Sequence, residues 1–393
     1  TLSGARLHLG KSDFTLSGEL SDIRRAMLRG GKLKANFELE SDLIDCNQLM
    51  LAIGKGLQFS DQLASNSVGA FSEDSISVLE TDHLLANTVD SVATDSISQL
   101  FVVPKFLDLT LHTNAKKIDF KDLKLEDVKG EVVIRDQSIN LSDLCMSSNI
   151  GSGDLTMVYT TKTDQEATMG FELSLNDILV ERLISLFPDI DTLVPMLRSF
   201  EGMVDCQMTA TCKADSTMSV LLPSVNASCY LSGKNMVLLD GETFTEISKT
   251  LMFKNKKRNM IDSIAVDLAI HDNKIEVFPF LVEMDRYKVA VGGTHNLDMT
   301  FDFHLSVLKS PVPFKLGIDI KGNLDDFKFK IVKCKYKDFL KPTKQAELDS
   351  TRRNVREEIR ETIRKQIREA APELGNSLSE IHPHTHGHVE EST

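Results

Sequence analysis

The chain has 393 residues, a net charge of −13, 41% hydrophobic residues and 26% charged residues, a balance typical of a soluble folded protein. No run approaches the roughly 18 apolar residues of a membrane-spanning helix. Lysine and arginine are dense only near the C-terminus, so we expect no nucleic-acid partner, whose phosphates require clustered basic residues.

The N-terminal part of the chain reads as a β segment followed by an insertion. Residues 1–54 form the first β segment, because "KLKANFELES" places Leu33, Ala35, Phe37 and Leu39 on one face of a strand. Residues 55–99 are rich in Ser, Asp, Asn and Thr with scattered apolar residues, so we expect a polar, partly disordered insertion.

A weak internal repeat predicts stacked hairpin units. Residues 100–174 form one β repeat, and its part at 125–161 shares a plan with residues 261–303. In both, a strand, a tight turn at Asp136-Gln137 or Asp272-Asn273 and a second strand precede a third and a fourth strand. Units that cannot bury their apolar faces alone favour stacking into an extended sheet.

Residues 175–200 carry apolar side chains at helical spacing, so a helical segment is predicted there. Asn176 or Asp177 is the expected helix cap, and Pro188 divides the segment into two short helices. Residues 240–251 are predicted to form another short helix.

Residues 201–342 read as a second β repeat in which apolar and polar residues alternate. Between Asp262 and Lys337 the pattern predicts an uninterrupted antiparallel meander. Within it, "NLDMTFDFHLSV" (296–307) is predicted to be one strand, and "GGTHN" (292–296) is predicted to be the turn before it.

Residues 343–371 predict a charged helix with a thin stripe of isoleucine and valine. Two interpretations stay open: a solvated helix on a sheet edge, or a basic element that touches a membrane or a partner. Residues 372–393 form a His-rich tail that is expected to be disordered.

Sequence motifs for catalysis or metal binding are absent. There is no HExxH, GxSxG, GxxxxGK or EF-hand pattern, so we expect neither an enzyme nor a cofactor. His304 is interpreted as a surface histidine, and the tail histidines His382, His384, His386 and His388 are expected to bind metal only adventitiously. The six cysteines contain no CxxC pair and are interpreted as mainly buried thiols.

The sequence predicts more apolar strand surface than its few helices can cover, and this excess is its most informative feature. Ten or more predicted strands each carry an apolar face, whereas few helices are available to cover them. Either two sheets close on each other, or one curved sheet keeps an apolar inner face for another molecule. A strand of eleven residues spans about 37 Å and a leaflet of hydrocarbon about 15 Å, so such a face has room for acyl chains.

Several segments resemble the C-terminal region of AsmA-like proteins, of the type found in Bacteroidetes. They are residues 101–141, "GSGDLTMVY" (151–159), "FPDIDTLVPMLRSFEG" (187–202) and the stretch from "IEVFPF" to "GIDIKG" (275–322), and the resemblance extends over roughly residues 1–340. It implies a long curved β-sheet with a hydrophobic groove that carries phospholipids, in the periplasm and anchored in the inner membrane by an N-terminal helix. That anchor is absent from this segment, which begins at Thr1.

The sequence therefore predicts a mainly β (α+β) protein with a few helices, built as an elongated curved antiparallel sheet with repeated hairpin units and a hydrophobic groove. Its expected function is non-enzymatic binding of phospholipid acyl chains, contributing to lipid transport and outer-membrane assembly. The alternative is a closed β scaffold that regulates outer-membrane protein assembly through contacts with assembly factors. The residues expected to line the groove share one apolar face: Val266, Leu268, Ile270, Val289, Val291, Leu297, Met299, Phe301, Phe303, Leu305, Phe314, Leu316 and Ile318.

Overall fold

A computed structural model shows that one long, open, curved and mixed sheet dominates the chain. It describes residues 1–24, 26, 31–49, 52, 100–120, 123–148, 151–186, 200–238, 259–284, 287–296, 299–310, 315–323 and 326–370. The predicted insertion at 55–99, the predicted helix at 240–251 and the His-rich tail with its four histidines lie outside the described residues.

The sheet contains 18 strands. They are β1 (Leu2–Leu9), β2 (Ser12–Ser21), β3 (Leu33–Ser41), β4 (Ile44–Asp45), β5 (Leu107–Phe120), β6 (Leu123–Arg135), β7 (Ser138–Ser148), β8 (Gly151–Thr160), β9 (Glu166–Leu179), β10 (Phe200–Glu201), β11 (Met203–Asp215), β12 (Asn226–Leu238), β13 (Asn259–His271), β14 (Lys274–Met284), β15 (Tyr287–Asn296), β16 (Phe301–Lys309), β17 (Leu316–Gly322) and β18 (Phe327–Val332). The described helices are α1 (Val180–Leu186), a 3₁₀ turn (Leu222–Ser224) and α2 (Pro342–Ala370).

Strand pairing follows the chain almost without crossovers. Strands β5, β6, β7, β8 and β9 pair antiparallel in this order, and so do strands β11 through β18; β9 pairs antiparallel with β11 and joins the two series. The predicted meander between Asp262 and Lys337 is therefore confirmed. The predicted mainly β fold with an elongated curved sheet is confirmed. The sheet is mixed and not purely antiparallel, because β3 and β4 both pair parallel with β5.

The tight turns of the repeat are confirmed. Asp136 and Gln137 have φ of 49° and 63°, and Asp272 and Asn273 have φ of 50° and 61°. Two consecutive residues with positive φ make a type I′ turn, whose twist matches that of the flanking strands. The flanking pairs Arg135↔Ser138 and His271↔Lys274 close both hairpins in the same way.

The helical segment predicted at 175–200 is wrong in its first part and at its end. Strand β9 continues to Leu179, so Asn176 and Asp177 are strand residues and not helix caps. Among the described residues of this segment, Val180–Leu186 is helical, and Phe200 begins β10; residues 187–199 lie outside the described residues. The spacing of the apolar side chains near residue 178 is compatible with a strand and with a helix. The segment forms a strand because it pairs with β11. Pro188 lies outside the described residues.

The strand predicted at 296–307 starts later than expected. Asn296 ends β15, Met299 has a φ of 71°, and the Asn296 N–H donates to Thr300 O at 2.8 Å, so these residues form the turn before β16. The predicted turn "GGTHN" is instead part of β15. A Cβ at Gly293 would lie 2.3 Å from Asp302 O, so this glycine serves close packing of two strands and not a turn.

The predicted charged helix at 343–371 is confirmed as α2, and of the two interpretations left open, the one that places it on a sheet edge is wrong. It lies across the sheet and contacts β7, β8, β9, β11 and β12. Its apolar stripe of Ile359, Ile363 and Ile367 packs against Val158 of β8. We call residues 333–370, which include α2, the C-terminal strap.

The main core lies on the opposite face of the sheet from the strap. Buried side chains of β9, β11, β12, β13, β14 and α1 form one contiguous cluster that includes Leu183 and Cys206. All six cysteines are free thiols; Cys206, Cys212 and Cys229 are buried, whereas Cys145 is exposed. The expected burial of the thiols is therefore only partly confirmed.

Candidate functional site

The sheet has one apolar face that can be traced strand by strand. Residues that pair directly across two strands project from the same side of the sheet. Ten successive pairings join one residue in each of eleven strands, from β7 through β18. This row, which we call the apolar band, consists of Leu144, Leu155, Leu173, Met208, Cys229, Leu268, Val277, Gly293, Phe303, Ile320 and Phe329.

The apolar band is long compared with a lipid chain. Neighbouring strands lie about 4.8 Å apart, so ten steps cover about 48 Å along the curve of the sheet. A hydrocarbon leaflet is about 15 Å thick. A second apolar row runs beside the band and includes Met157, Phe171, Ile270 and Ile275.

Ten of the thirteen predicted groove residues share the face of the apolar band. They lie on β13, β15, β16 and β17, and the pairings Val291↔Leu305 and Leu305↔Ile318 connect three of these strands. Met299 lies in the turn before β16 and not in a strand. Leu297 and Phe314 lie outside the described residues.

Protein side chains already shield much of this face. Six of the ten side chains of the apolar band are buried, and Leu155, Met208 and Val277 are half-buried. Exposure increases at the β18 end, where Phe329 is 42% exposed. Among the predicted residues, Val266, Val291, Phe301, Leu305 and Leu316 are half-buried.

Cysteine and histidine side chains are also part of the apolar face. Sγ of Cys206 lies 3.9 Å from Sγ of Cys229, and this contact together with burial raises the pKa of Cys229. Burial raises the pKa of Cys212 to about 11. His295 is buried on the same face, where its ring stacks on Phe301 with centroids 6.4 Å apart. The raised pKa keeps the thiols of Cys212 and Cys229 protonated at neutral pH, so they act as apolar side chains.

On the opposite, polar face, ion pairs hold α2 to the sheet. The Asp267 carboxylate of β13 lies 3.3 Å from Nε of Arg352 and 3.4 Å from Nη2 of Arg356. Burial raises the pKa of Asp267, while the two guanidinium groups oppose the rise. Arg352 also donates to Pro279 O at 2.8 Å, and Arg360 pairs with Glu172. Removing Arg352 or Arg356 would leave the buried Asp267 carboxylate with one guanidinium partner in place of two.

The start of the C-terminal strap is held by a buried histidine, so the interpretation of His304 as a surface residue is wrong. His304 is 5% exposed, and its Nδ1 lies 2.5 Å from Oδ1 of Asp319. Its Nε2 lies 3.0 Å from Oγ of Ser306 and accepts the N–H of Lys335 at 3.1 Å. Because Nε2 accepts, we assign the ring proton to Nδ1, which donates to Asp319.

The contacts from Ser306 to His304 and from His304 to Asp319 have the same residue types as the Ser-His-Asp triad of hydrolases. Here Oγ of Ser306 is fully buried and accepts the backbone N–H of Tyr336 at 2.9 Å. A Cβ at Gly317 would lie 2.5 Å from Lys333 O, so the strap fills the space above the cluster. The three side chains therefore anchor residues 335 and 336 and leave the hydroxyl without access to a substrate.

A polar cleft of about 760 Å³ lies near the N-terminal strands, away from the apolar band. It is open to solvent and is lined by Glu19, Lys34, Asp108 and Arg135, among others. Nε of Arg135 lies 2.6 Å from Oδ1 of Asp108, so the central charges neutralise each other. Within the described part of the chain, no group of three or more His, Cys, Asp or Glu side chains is placed to hold a metal ion.

Comparison of the chain with protein-family models, curated proteins and solved structures finds no match in any of the three. The fold itself, a large and mostly β sheet of many strands, is compatible with a β-groove architecture. None of the described helices is both long enough and apolar enough to cross a bilayer.

Two groups of interacting side chains on the polar face were not predicted from the sequence. The first is the cluster of His304, Ser306 and Asp319, and the second is the seat of α2 at Asp267 and Glu172. His304 and Ser306 share a strand face, which alternation shows, but their partners lie on other elements. No local pattern in the sequence indicates those partners.

Proposed function

We propose that this chain is a non-enzymatic lipid-handling protein that binds phospholipid acyl chains along the apolar band. The observation that carries the proposal is the continuity of the band, which crosses eleven strands without a charged residue. Each methylene that leaves water along such a surface contributes about 0.8 kcal/mol. Binding of an acyl chain therefore needs no covalent chemistry.

The half-buried members of the face are the proposed contacts. Leu155, Met208 and Val277 in the band, with Val291 and Leu305 beside it, retain accessible apolar surface. The buried members lie in the same row and are shielded by protein side chains. The polar head group stays at the margin, in water.

The sequence resemblance to AsmA-like proteins supports the same proposal and extends it. On the basis of this resemblance, we also propose that the protein lies in the periplasm, is anchored in the inner membrane through an N-terminal segment, and contributes to lipid transport towards the outer membrane. The curved β sheet of many strands is compatible with this architecture.

Lipid uptake by a variant of Phe301 tests the proposal. Phe301 is half-buried at the start of β16, so Phe301→Glu places a charge on the apolar face with limited damage to the core. We expect the purified protein to carry phospholipid in native mass spectrometry and to take up a fluorescent phospholipid, and we expect the variant to do neither. A protein that purifies free of lipid and takes up none refutes the proposal.

A matched control introduces the same charge on the polar face. Ser263 is exposed and pairs across the strands with Lys234, so Ser263→Glu faces a lysine and leaves the apolar face unchanged. This variant should take up lipid like the unmodified protein. Loss of uptake in both variants would show that the added charge, and not its place on the apolar face, is responsible.

The second candidate is a scaffold that acts through contacts with outer-membrane assembly factors; the open sheet rules out closure of the sheet on itself, so in this candidate the protein's own side chains fill the apolar face. It is favoured by the burial of Leu173, Cys229, Leu268 and Phe303 under protein side chains. The same experiment separates the two candidates. If Phe301→Glu unfolds the sheet, as circular dichroism would show, the face is a closed core; if the variant stays folded and loses lipid, the face is a groove.

A further inference from the structure

The final strand of the sheet and the segment after it form a basic surface on an acidic protein. Residues 328–337 contain five lysines and no acidic residue, whereas the whole chain has a net charge of −13. The lysines are Lys328, Lys330, Lys333, Lys335 and Lys337, and all five are exposed. Among the described residues, none of them forms an ion pair within 4.0 Å.

Exposed apolar side chains alternate with the lysines along β18 and project from the other side of this outer strand. Ile331 is 64% exposed and Phe329 is 42% exposed, both on β18. Leu340, in the segment that follows, is 55% exposed. We call these three residues and the five lysines the basic edge.

Protection of a sheet edge explains only part of the basic edge. Lysines on an outer strand discourage pairing with another sheet, which accounts for Lys328 and Lys330. Protection does not account for the exposed Phe329 and Ile331, because apolar residues on an outer strand promote such pairing. It also does not account for Lys333, Lys335 and Lys337, which follow the strand.

Pairing of β18 with β1 of a second copy is disfavoured by charge. The polar side of β1 carries Arg6, and the polar side of β18 carries Lys328 and Lys330. Two basic edges would repel each other on close approach. The partner therefore combines negative charge with an apolar interior.

We infer that the basic edge docks on the surface of an anionic lipid bilayer. Lipid phosphates face the lysines, whose long side chains reach the head groups while Phe329 and Ile331 enter the boundary of the acyl region. The inference goes beyond the proposed function, since it requires no lipid in the apolar band. It also places the exposed end of that band at the membrane surface, because Phe329 belongs to both.

Flotation of the full chain with lipid vesicles tests the inference. We expect binding to phosphatidylcholine vesicles that contain about 30% phosphatidylglycerol, weak binding to phosphatidylcholine alone, and a decrease with salt. Replacing three lysines by glutamine, at Lys328, Lys330 and Lys333, should weaken binding by roughly fivefold each, about 100-fold together. The matched control replaces the exposed lysines Lys105, Lys117 and Lys162 and should leave binding unchanged.

A second variant separates a membrane from a soluble acidic partner. Phe329→Ser with Ile331→Ser keeps every lysine, and it should weaken vesicle binding by about tenfold if these side chains enter the bilayer. If only the lysine variant loses binding, the surface recognises charge alone and the bilayer assignment is wrong. Equal loss in the control lysine variant, or equal binding to both kinds of vesicle, also overturns the inference. Phe301→Glu should still float, so failure of the proposed function is distinguishable from failure of this one.

Discussion

The attachment of α2 to the sheet depends on a short seam of isoleucines, and Ile363→Ala tests it. Ile363 is buried between Val158 and the backbone near Gly170, where an added Cβ would lie 3.2 Å from Ile363 Cγ1. The substitution removes three carbons, which is about 2.4 kcal/mol by transfer, and a residual cavity adds to this. The higher helix propensity of alanine offsets a few tenths of a kcal/mol of this loss. We expect the docked state to lose about 2 to 4 kcal/mol.

Hydrogen exchange of the α2 amides measures this change. A loss of 2 to 4 kcal/mol raises the population of the undocked helix by about 30-fold to several hundredfold, so exchange in α2 should accelerate by a similar factor while the strands stay protected. Thr362→Ala is the control, because Thr362 is exposed and its hydroxyl bonds only to Glu358 O within the helix. If both variants exchange alike, the ion pairs at Asp267 and Glu172 hold the helix and the isoleucine seam does not.

Two further predictions concern single polar side chains. The Asp13 carboxylate accepts the N–H of Leu43 at 2.8 Å, which lowers its pKa below 3.8, so its stabilisation is present at neutral pH and is lost as the pH falls through the lowered value. Asp13→Asn should therefore cost about 1 kcal/mol at pH 7 after allowance for solvent screening. Urea titrations should show that this difference shrinks as the pH falls through the lowered pKa of Asp13; a difference that is constant with pH contradicts the assignment. The Asn140 side chain is fully buried between Val133 and Val158 and lacks a hydrogen-bond partner among the described residues, so Asn140→Val should raise the unfolding free energy by about 1 to 2 kcal/mol. Asn114→Val, at an exposed position of β5, should change it by less than about 0.5 kcal/mol, and a fall in stability at position 140 would contradict the prediction.

Short-range patterns were sufficient for much of this fold. The turns at Asp136-Gln137 and Asp272-Asn273 were predicted because Asp and Asn tolerate the positive φ that a type I′ turn requires. The charged helix was predicted because its isoleucines recur at helical spacing, and these residues are the ones that pack on Val158. In each case, residues within a few positions of one another carry the information.

The errors occurred where residues distant in sequence decide the structure. Residues 175–179 carry a pattern compatible with both helix and strand, and the pairing of β9 with β11 selects the strand. Gly292 and Gly293 suggest a turn by composition. Both lie inside β15. Glycine fits there because Pro279 and Asp302 approach the backbone so closely that a Cβ would clash or be tightly packed.

The pattern of apolar and polar residues is enough to predict strands with one apolar and one polar face, joined mostly by short turns. This is so because alternation with a period of two is a local property of the chain. The joining of these faces into one apolar band and the packing of α2 on the polar face follow from long-range strand pairing and helix docking. Register, burial of His304 and the exposure of Phe329 depend on contacts between strands and on the path of the C-terminal strap, which no local pattern encodes.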